Sequence, residues 1–475
     1  MGIIDIFNAF SDKTVEKTDF SDTTIGIPRA LHTYEYFPFI QSIVQGILPG
    51  CKIKMSPESD NRLKANGEKN CPTEPCFSVK LAFGHIQSLL EDETVHRVLI
   101  PAVIRGEAPG NAFPYTHVCP YVQALPQMAM AGYASLRSKI VPLVIQMPSE
   151  RRAEMTDNII ATASLLGRTL PRPAARAILE TALAVRKDVK EKLYALGRET
   201  IARAKQSGKP LFVLLGRTYN LSDKALNAAI PDILADRGYE AVTIDMLNLD
   251  DILTDPAFVK AHKHTYWLYH QRLLAGAEYV SRDPENLRAI FISNFGGGPD
   301  SFIIPQVQAL LGAAKLLVIT VDSQDARANV VTRVEAYLNT MDGAKQNISP
   351  RQSFGEMRKY NPISPSEKRI IALPNMCNAA HAIAALFRSY GVDAYVMAET
   401  TRESMELGCV HTTGQECYPC MTTTGDMAWA AIHKRVYIDR PDMIMASWPN
   451  AKGQFKMDAQ GKWYLPFDQI GRAHV

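Results

Sequence analysis

PLFVLLGRTYN at residues 210–220 opens a run in which short apolar blocks alternate with amphipathic ones. The apolar blocks are PLFVLLG (210–216), YEAVTIDML (239–247), LRAIFIS (287–293) and KLLVITVD (315–322). Between and after them lie LNAAIPDILADRG (226–238), YWLYHQRLLAGAEYVS (266–281), IIPQVQALLG (303–312) and VVTRVEAYLNTM (330–341), which carry helical spacing. Near-continuous apolar strands separated by helices read as βαβ units around a parallel sheet, because helices must then cover both sheet faces. Residues 209–345 are therefore expected to form an α/β domain.

Upstream the same alternation appears in TIGIPRAL (24–31), VHRVLIPAV (95–103) and KIVPLVIQM (139–147), with helices read in PFIQSIVQGIL, FSVKLAFGHIQSLLED and YVQALPQMAMAG. This predicts another parallel α/β domain over 24–147, after a lead segment at 1–23. Residues 148–208 show helical periodicity rich in Ala, Arg and Lys and no strand pattern, so they are expected to be a helical connector. The polar segment around 346–367 reads as a linker, with Pro350, Pro362 and Pro365 in it. A third α/β domain is expected over 368–475, with strands in KRIIALPNM, VDAYVMA and MIMASW (443–448) and a helix in AAHAIAALFRSYG. The fold class is thus α/β, with repeated parallel-sheet βαβ domains joined by a helical connector. The last six residues, IGRAHV, are what the adapter-like string ATCGGAAGAGCACACGTC encodes, so a truncated terminus is expected.

With 52 basic and 49 acidic side chains, a net charge of +3 and no block of like charge, nothing points to nucleic acid or an anionic membrane. The first residues lack a secretory pattern, and no stretch approaches the roughly 20 apolar residues of a membrane span, so a cytoplasmic protein is expected. Eight cysteines in a reducing compartment favour metal or redox chemistry over structural disulfides, with core packing as the competing reading for each.

Four places join a cysteine to a turn residue and a following helix. Asn70-Cys71-Pro72-Thr73-Glu74-Pro75-Cys76 runs into a helix near Phe77, where free N–H groups and the dipole would favour a Cys76 thiolate. His117-Val118-Cys119-Pro120 precedes another helix. Loops after parallel strands lie at one sheet edge, so Cys76 and Cys119 are expected to face one crevice. Cys409 to Cys420 includes Gly414 and the C-x-x-C spacing of Cys417 and Cys420, which lets two sulfurs meet one metal at a helix start. Cys377 follows a strand and reads equally as ligand or core thiol, whereas Cys51 reads as structural. Arg217, after PLFVLLG, reads as a charge partner for a phosphate or as part of a plain turn. Sulfur-rich surroundings suit iron–sulfur clusters or zinc over magnesium or calcium.

TIGIPRAL with YEYFPF, TEPCFSVKLAFGHI, CPYVQALP, LGRTYN with NAAIPDILADRGYEAVTIDM, YHQRLLAGAEYV with ISNFGGGPDS, and HTTGQECYPCMTTTGD together resemble the domains associated with acyl-CoA dehydratase activases. These are relatives of 2-hydroxyacyl-CoA dehydratases and double-cubane cluster proteins. The resemblance implies an iron–sulfur redox protein of anaerobic metabolism, with a [4Fe-4S] or double-cubane cluster. It would accept low-potential electrons from an ATP-dependent activase, an actin/Hsp70-like ATPase acting in trans or fused. A reductase or dehydratase role on an acyl-CoA or other small molecule would follow. The cluster cysteines carry over to Cys76, Cys119 and Cys417, with Cys71, Cys377, Cys409 and Cys420 as further ligands. Gly297 stands where relatives often have cysteine, the Gly-Pro-Cys-Arg segment expected after Ile444 is absent, and no GxxxxGK[ST] phosphate loop is present. The rival readings are a structural-metal scaffold docking an activase to a catalytic subunit, and a thiol–disulfide enzyme using Cys417 and Cys420.

Overall fold

Apolar runs that would strand their backbone groups in water instead pair side by side. In the computed structural model, which describes residues 20–322, 327–343, 370–412, 418–439 and 454–466, they form two four-stranded parallel sheets within the unit Met1–Gln352. The first sheet holds β1 (Thr24–Ile27), β2 (Lys52–Met55), β3 (Arg97–Arg105) and β4 (Ile140–Gln146) in the order β2-β1-β3-β4. The second holds β5 (Leu211–Gly216), β6 (Ala241–Thr243), β7 (Leu287–Asn294) and β8 (Leu316–Val321) in the order β6-β5-β7-β8. The central strands are sealed: every residue of β5 is buried, and it pairs with β7 from Leu211↔Leu287 to Gly216↔Ile292. Each sheet's order reverses at its centre, between β1 and β3 and between β5 and β7. At such a point neighbouring crossovers diverge and leave a crevice at the carboxyl ends of the strands.

The helices of this unit are α1 (Thr33–Ile47), α2 (Asn61–Asn70), α3 (Phe77–Leu90), α4 (Pro120–Gln123), α5 (Leu125–Gly132), α6 (Arg152–Leu165), α7 (Arg172–Ser207), α8 (Thr218–Ser222), α9 (Ile230–Asp236), α10 (Leu268–Arg282), α11 (Gly298–Leu311) and α12 (Arg327–Gly343), besides short turns. The connector is α6 and α7. The 36-residue α7 ends at Gly208, whose φ of 68° is the left-handed cap that glycine adopts without a Cβ clash. It ties the sheets together: a Cβ at Gly46 of α1 would lie 2.8 Å from Ile178, and one at Gly197 only 2.1 Å from the Met246 carbonyl beyond β6.

The unit Ser353–Val475 begins with β9 (Ile371–Leu373), α13 (Ala379–Ser389) and β10 (Ala394–Val396), β9 and β10 pairing in parallel. Then come α14 (Arg402–His411) and α15 (Tyr418–His433), followed by an antiparallel sheet of β11 (Arg435–Tyr437), β12 (Lys456–Met457) and β13 (Trp463–Pro466) in the order β11-β13-β12. That antiparallel sheet was not foreshadowed by the apolar pattern, because its strands are short and lightly buried. The expected strand at 443–448 and the linker at 346–367 lie outside the described residues.

The β-α-β-α-α order of β9 to α15 repeats that of β1 to α3, and the two helical hairpins agree residue for residue at an offset of 341 (67 to 408, 84 to 425). Asp60 caps the N–H of Leu63, and Thr401 caps the N–H of Ser404. A Cβ at Gly67 would sit 2.0 Å from the Lys80 carbonyl, and one at Gly408 2.1 Å from that of Met421. On the facing helix, Gly84 and Gly425 would each meet a carbonyl at 1.9 Å, those of Leu63 and Ser404. Backbones that approach so closely admit only glycine at the crossing. Within this register Cys417 is the counterpart of Cys76, each directly preceding the second helix of its hairpin.

Candidate functional site

Pro75 holds the chain extended into α3, leaving Cys76 as its N-cap residue (φ −61°, ψ 159°). Cys119 caps α4 in the same manner, with Pro120 supplying the first helical residue. Both thiols are buried, and Cys119 is near enough for its charge to act on Cys76. The wall facing Cys76 comes from the second sheet. Gly296 follows β7 with a φ of 77°, and a Cβ there would lie 3.4 Å from the Cys76 Cα. The structure thus brings together Cys76, Cys119 and the glycine loop at the carboxyl edges of two sheets.

One expectation is reversed. Burial pushes the Cys76 thiol up, although contacts with Ser78 and the Val79 N–H pull it down, and Cys119 raises it further against the opposing charge of Arg217. Desolvation of a thiolate here outweighs the helix terminus, so without a cation Cys76 is a neutral thiol.

Arg217 lies at the end of β5 and is almost wholly buried. Its Nε and Nη2 donate to Asp300 Oδ1 at 2.9 and 2.6 Å, and the Ser293 hydroxyl donates to Asp300 Oδ2 at 3.1 Å. Asp300 thus engages the guanidinium of Arg217, which the sequence left open as a phosphate partner or part of a plain turn. It remains a fixed positive charge acting on Cys76, and its guanidinium lies 5.4 Å from the centre of the Tyr269 ring.

Tyr269 leads to an ionic cluster that the sequence reading missed. Its hydroxyl donates to Glu35 and contacts His32 Nδ1 at 3.1 Å. Arg272 reaches Asp245 at 2.5 Å and Glu35 at 3.5 Å. Burial pushes the His32 pKa down and opposes charge on Glu35, but the His32 contact and the Arg272 and Arg186 charges keep the Glu35 carboxyl well below the usual range. The available signal was charge within otherwise apolar aromatic stretches, Glu35 in YEYFPF and Arg272 in YHQRLLAG.

The other cysteines are placed differently. Cys71 is half-buried after α2, where burial raises its thiol and Thr73 pulls it down. Cys377 is exposed before α13. Cys409 is exposed on α14, with its Sγ 3.4 Å from Met421 Sδ. Cys420 is in the first turn of α15. Cys417 and Glu416 lie outside the described residues. Cys51 is a core thiol. His117 stacks on Tyr266 at 4.6 Å. Lys80 pairs with Glu74. Among the described residues no three His, Cys, Asp or Glu side chains are arranged to hold a metal ion, and no helix is long and apolar enough to cross a membrane.

Fold and site define a parallel α/β protein with two buried N-cap thiols, Cys76 packed against the glycine loop after β7. Residues 24–247, which take in Cys76, Cys119 and Arg217, match the family described as CoA enzyme activase uncharacterised domain. Comparison with curated proteins finds no match. Among solved structures, the laminin-binding protein Lbp of Streptococcus pyogenes is 10% identical over 67% of this chain and 96% of its own, with a TM-score of 0.19. A protein described as a phosphosugar isomerase of Clostridium difficile 630 is 13% identical over 74% and 92%, with a TM-score of 0.17. Scores this low carry no argument about fold or function.

Proposed function

We propose that this chain is an iron–sulfur redox component of the 2-hydroxyacyl-CoA dehydratase/activase system, accepting low-potential electrons from an ATP-dependent activase partner. The observation that carries the reading is the buried pair Cys76 and Cys119, two thiols at helix N-cap positions near enough for Cys119 and the fixed Arg217 guanidinium to act on Cys76. These two residues would hold iron, and the cluster, when bound, supplies one-electron chemistry at low potential. Two sulfurs do not complete a cluster's ligand set. Cys417, to which the resemblance carries a third, is also the hairpin counterpart of Cys76, which supports the same role independently of the resemblance. By the same register Cys71, Cys409 and Cys420 fall opposite Thr412, Glu68 and Val79, so they are weaker candidates.

The chain's own contribution is to exclude water from the thiols and to set a compensated charge behind them. Arg217 favours thiolate at Cys76, while Asp300 keeps that guanidinium from standing unpaired in the interior. The test is anaerobic purification followed by iron and acid-labile sulfide analysis and electron paramagnetic resonance after reduction. Several irons per chain and a low-potential signal are expected, with most of the iron lost in Cys76→Ser, Cys119→Ser and Cys417→Ser. A colourless protein carrying only zinc overturns the reading.

A further inference from the structure

The two paired hairpins share a register but differ in chemistry along one flank of their crossing. In the first, Lys64 of α2 holds its ammonium 5.8 Å from the centre of the Phe77 ring on α3, and the charge of Glu68, one turn further along α2, acts on Lys80. At the offset of 341 these four positions become Met405 and Cys409 on α14, and Tyr418 and Met421 on α15. Both pairings persist with sulfur in place of charge. The Tyr418 hydroxyl donates to Met405 Sδ at 3.0 Å, and the Cys409 thiol donates to Met421 Sδ at 3.4 Å.

Packing alone does not call for sulfur there. Cys409 is exposed, and a thiol and a thioether offer water only a weak donor and weak acceptors where the first hairpin offers full charges. Met405 and Cys409 lie four residues apart on α14, so they are neighbours on one helix face, about 5–6 Å apart between Cβ atoms. Met421 meets Cys409 from the facing helix. One ionisable sulfur and two neutral ones therefore line the same flank. Thiolate with thioethers is a donor set that suits Cu(I), whereas zinc takes thiolate, imidazole or carboxylate, and iron–sulfur clusters are held by thiolates.

We propose that Met405, Cys409 and Met421 form a binding site for a soft monovalent cation of the Cu(I) type. Binding exchanges the Cys409 proton for the metal ion, so the thiolate cancels the cation's charge and the two neutral thioethers complete a three-coordinate sulfur shell. No change of oxidation state is involved. Tyr418 is 62% exposed, so its hydroxyl turns to water as it releases Met405. The proposal does not rest on the cluster reading, which draws on Cys76, Cys119 and Cys417.

Anaerobic titration of the full chain with Cu(I) in dilute acetonitrile, followed by nuclear magnetic resonance of ¹³C-labelled methionine methyl groups, tests this. Of the 17 methionine signals, those of Met405 and Met421 are expected to shift together and saturate together, with Met405→Leu and Met421→Leu supplying the assignment. Zn(II) should leave both signals in place. Cys409→Ser, at an exposed position, should abolish both shifts. Met421→Leu should weaken the Met405 response at least about tenfold, the lower end of the cost of losing a group that only orients a metal ligand. A cooperative melt confirms that each variant is folded, and the signals report on these two methionines whatever iron the other cysteines hold. Met405 and Met421 signals that stay in place while other thiols take up the copper overturn the proposal. So do equal shifts with Zn(II), or shifts retained in Cys409→Ser.

Discussion

At Asp300 a single carboxylate stands between a buried guanidinium and an unpaired interior charge. Removing one partner of such a pair costs about 3–5 kcal/mol, far more than an exposed pair is worth. Asp300→Ala is therefore expected to lower stability by that amount in chemical denaturation, whereas Arg402→Ala, which breaks an exposed pair with Glu406, should cost about 0–1 kcal/mol. Comparable losses would refute the burial argument. His85 gives a pH-dependent case. It is fully buried, Nδ1 lies 2.9 Å from Ser56 Oγ and Nε2 2.9 Å from Ser59 Oγ, while the Ser59 hydroxyl donates to Asp223 at 2.5 Å. Because Ser59 spends its proton on Asp223, His85 donates from Nε2 and accepts at Nδ1, which is the neutral ring. Burial lowers its pKa to about 4 from an ordinary 6.5. Between those values the unfolded chain binds the extra proton, so stability is complete above about pH 6.5 and declines as pH falls towards 4. His270, also buried and at about 4, adds to the same window. His85→Gln should remove about 1.4 kcal/mol per pH unit from the acid-side slope at most, measured by denaturation between pH 4 and 7; an unchanged slope would refute the assignment. None of these pairings was visible in the sequence, where Asp300 and Arg217, and likewise His85 and Asp223, lie far apart.

Helices and strands were more legible, because apolar period is a local signal and the parallel sheets follow from it. The starts of α3 and α4 were readable from Pro75-Cys76 and Cys119-Pro120. That burial raises the Cys76 thiol was not, since desolvation depends on what the second sheet lays over it. The paired hairpins were also hidden: their side chains differ, and only the backbone approach at glycine reveals the common register. That approach yields a prediction. Gly84→Ala and Gly425→Ala each drive a methyl group into a carbonyl of the facing helix, Leu63 and Ser404 respectively. Each should destabilise its hairpin by about 1–3 kcal/mol or more. Gly167→Ala, with nothing within 4 Å but a φ of 79°, should cost only the backbone strain of about 1–2 kcal/mol. Thermal melts of the three variants check the order, and a Gly84→Ala protein as stable as the parent would mean that the α2 and α3 crossing is looser than described.

Over the whole chain, the apolar pattern suggested three α/β domains. Packing joins the first two and the connector into one unit, because α7 packs on α1 and α6 of the first segment and on β5 and β6 of the second, and Tyr34, Tyr269 and Arg217 link residues distant in sequence. Tyr34 donates to Asp223 at 2.9 Å, Tyr269 to Glu35, and one continuous apolar cluster runs from Ile25 to Leu338. Local periodicity cannot show this, since each α/β segment has the same internal pattern whether it stands alone or shares a core. The consequence is testable by truncation. A chain ending at residue 352 keeps that apolar cluster intact and should melt cooperatively, with slow amide exchange in β5 and β7. A chain ending at residue 147 keeps the first sheet but loses α7, which covers α1 through Ile178 and Leu179, together with the partners of Tyr34 and Glu35. It should show no cooperative transition, or one well below that of the longer fragment. If the shorter fragment melts as sharply and as high as the longer one, the two sheets are independent domains and the shared core contributes nothing to holding them.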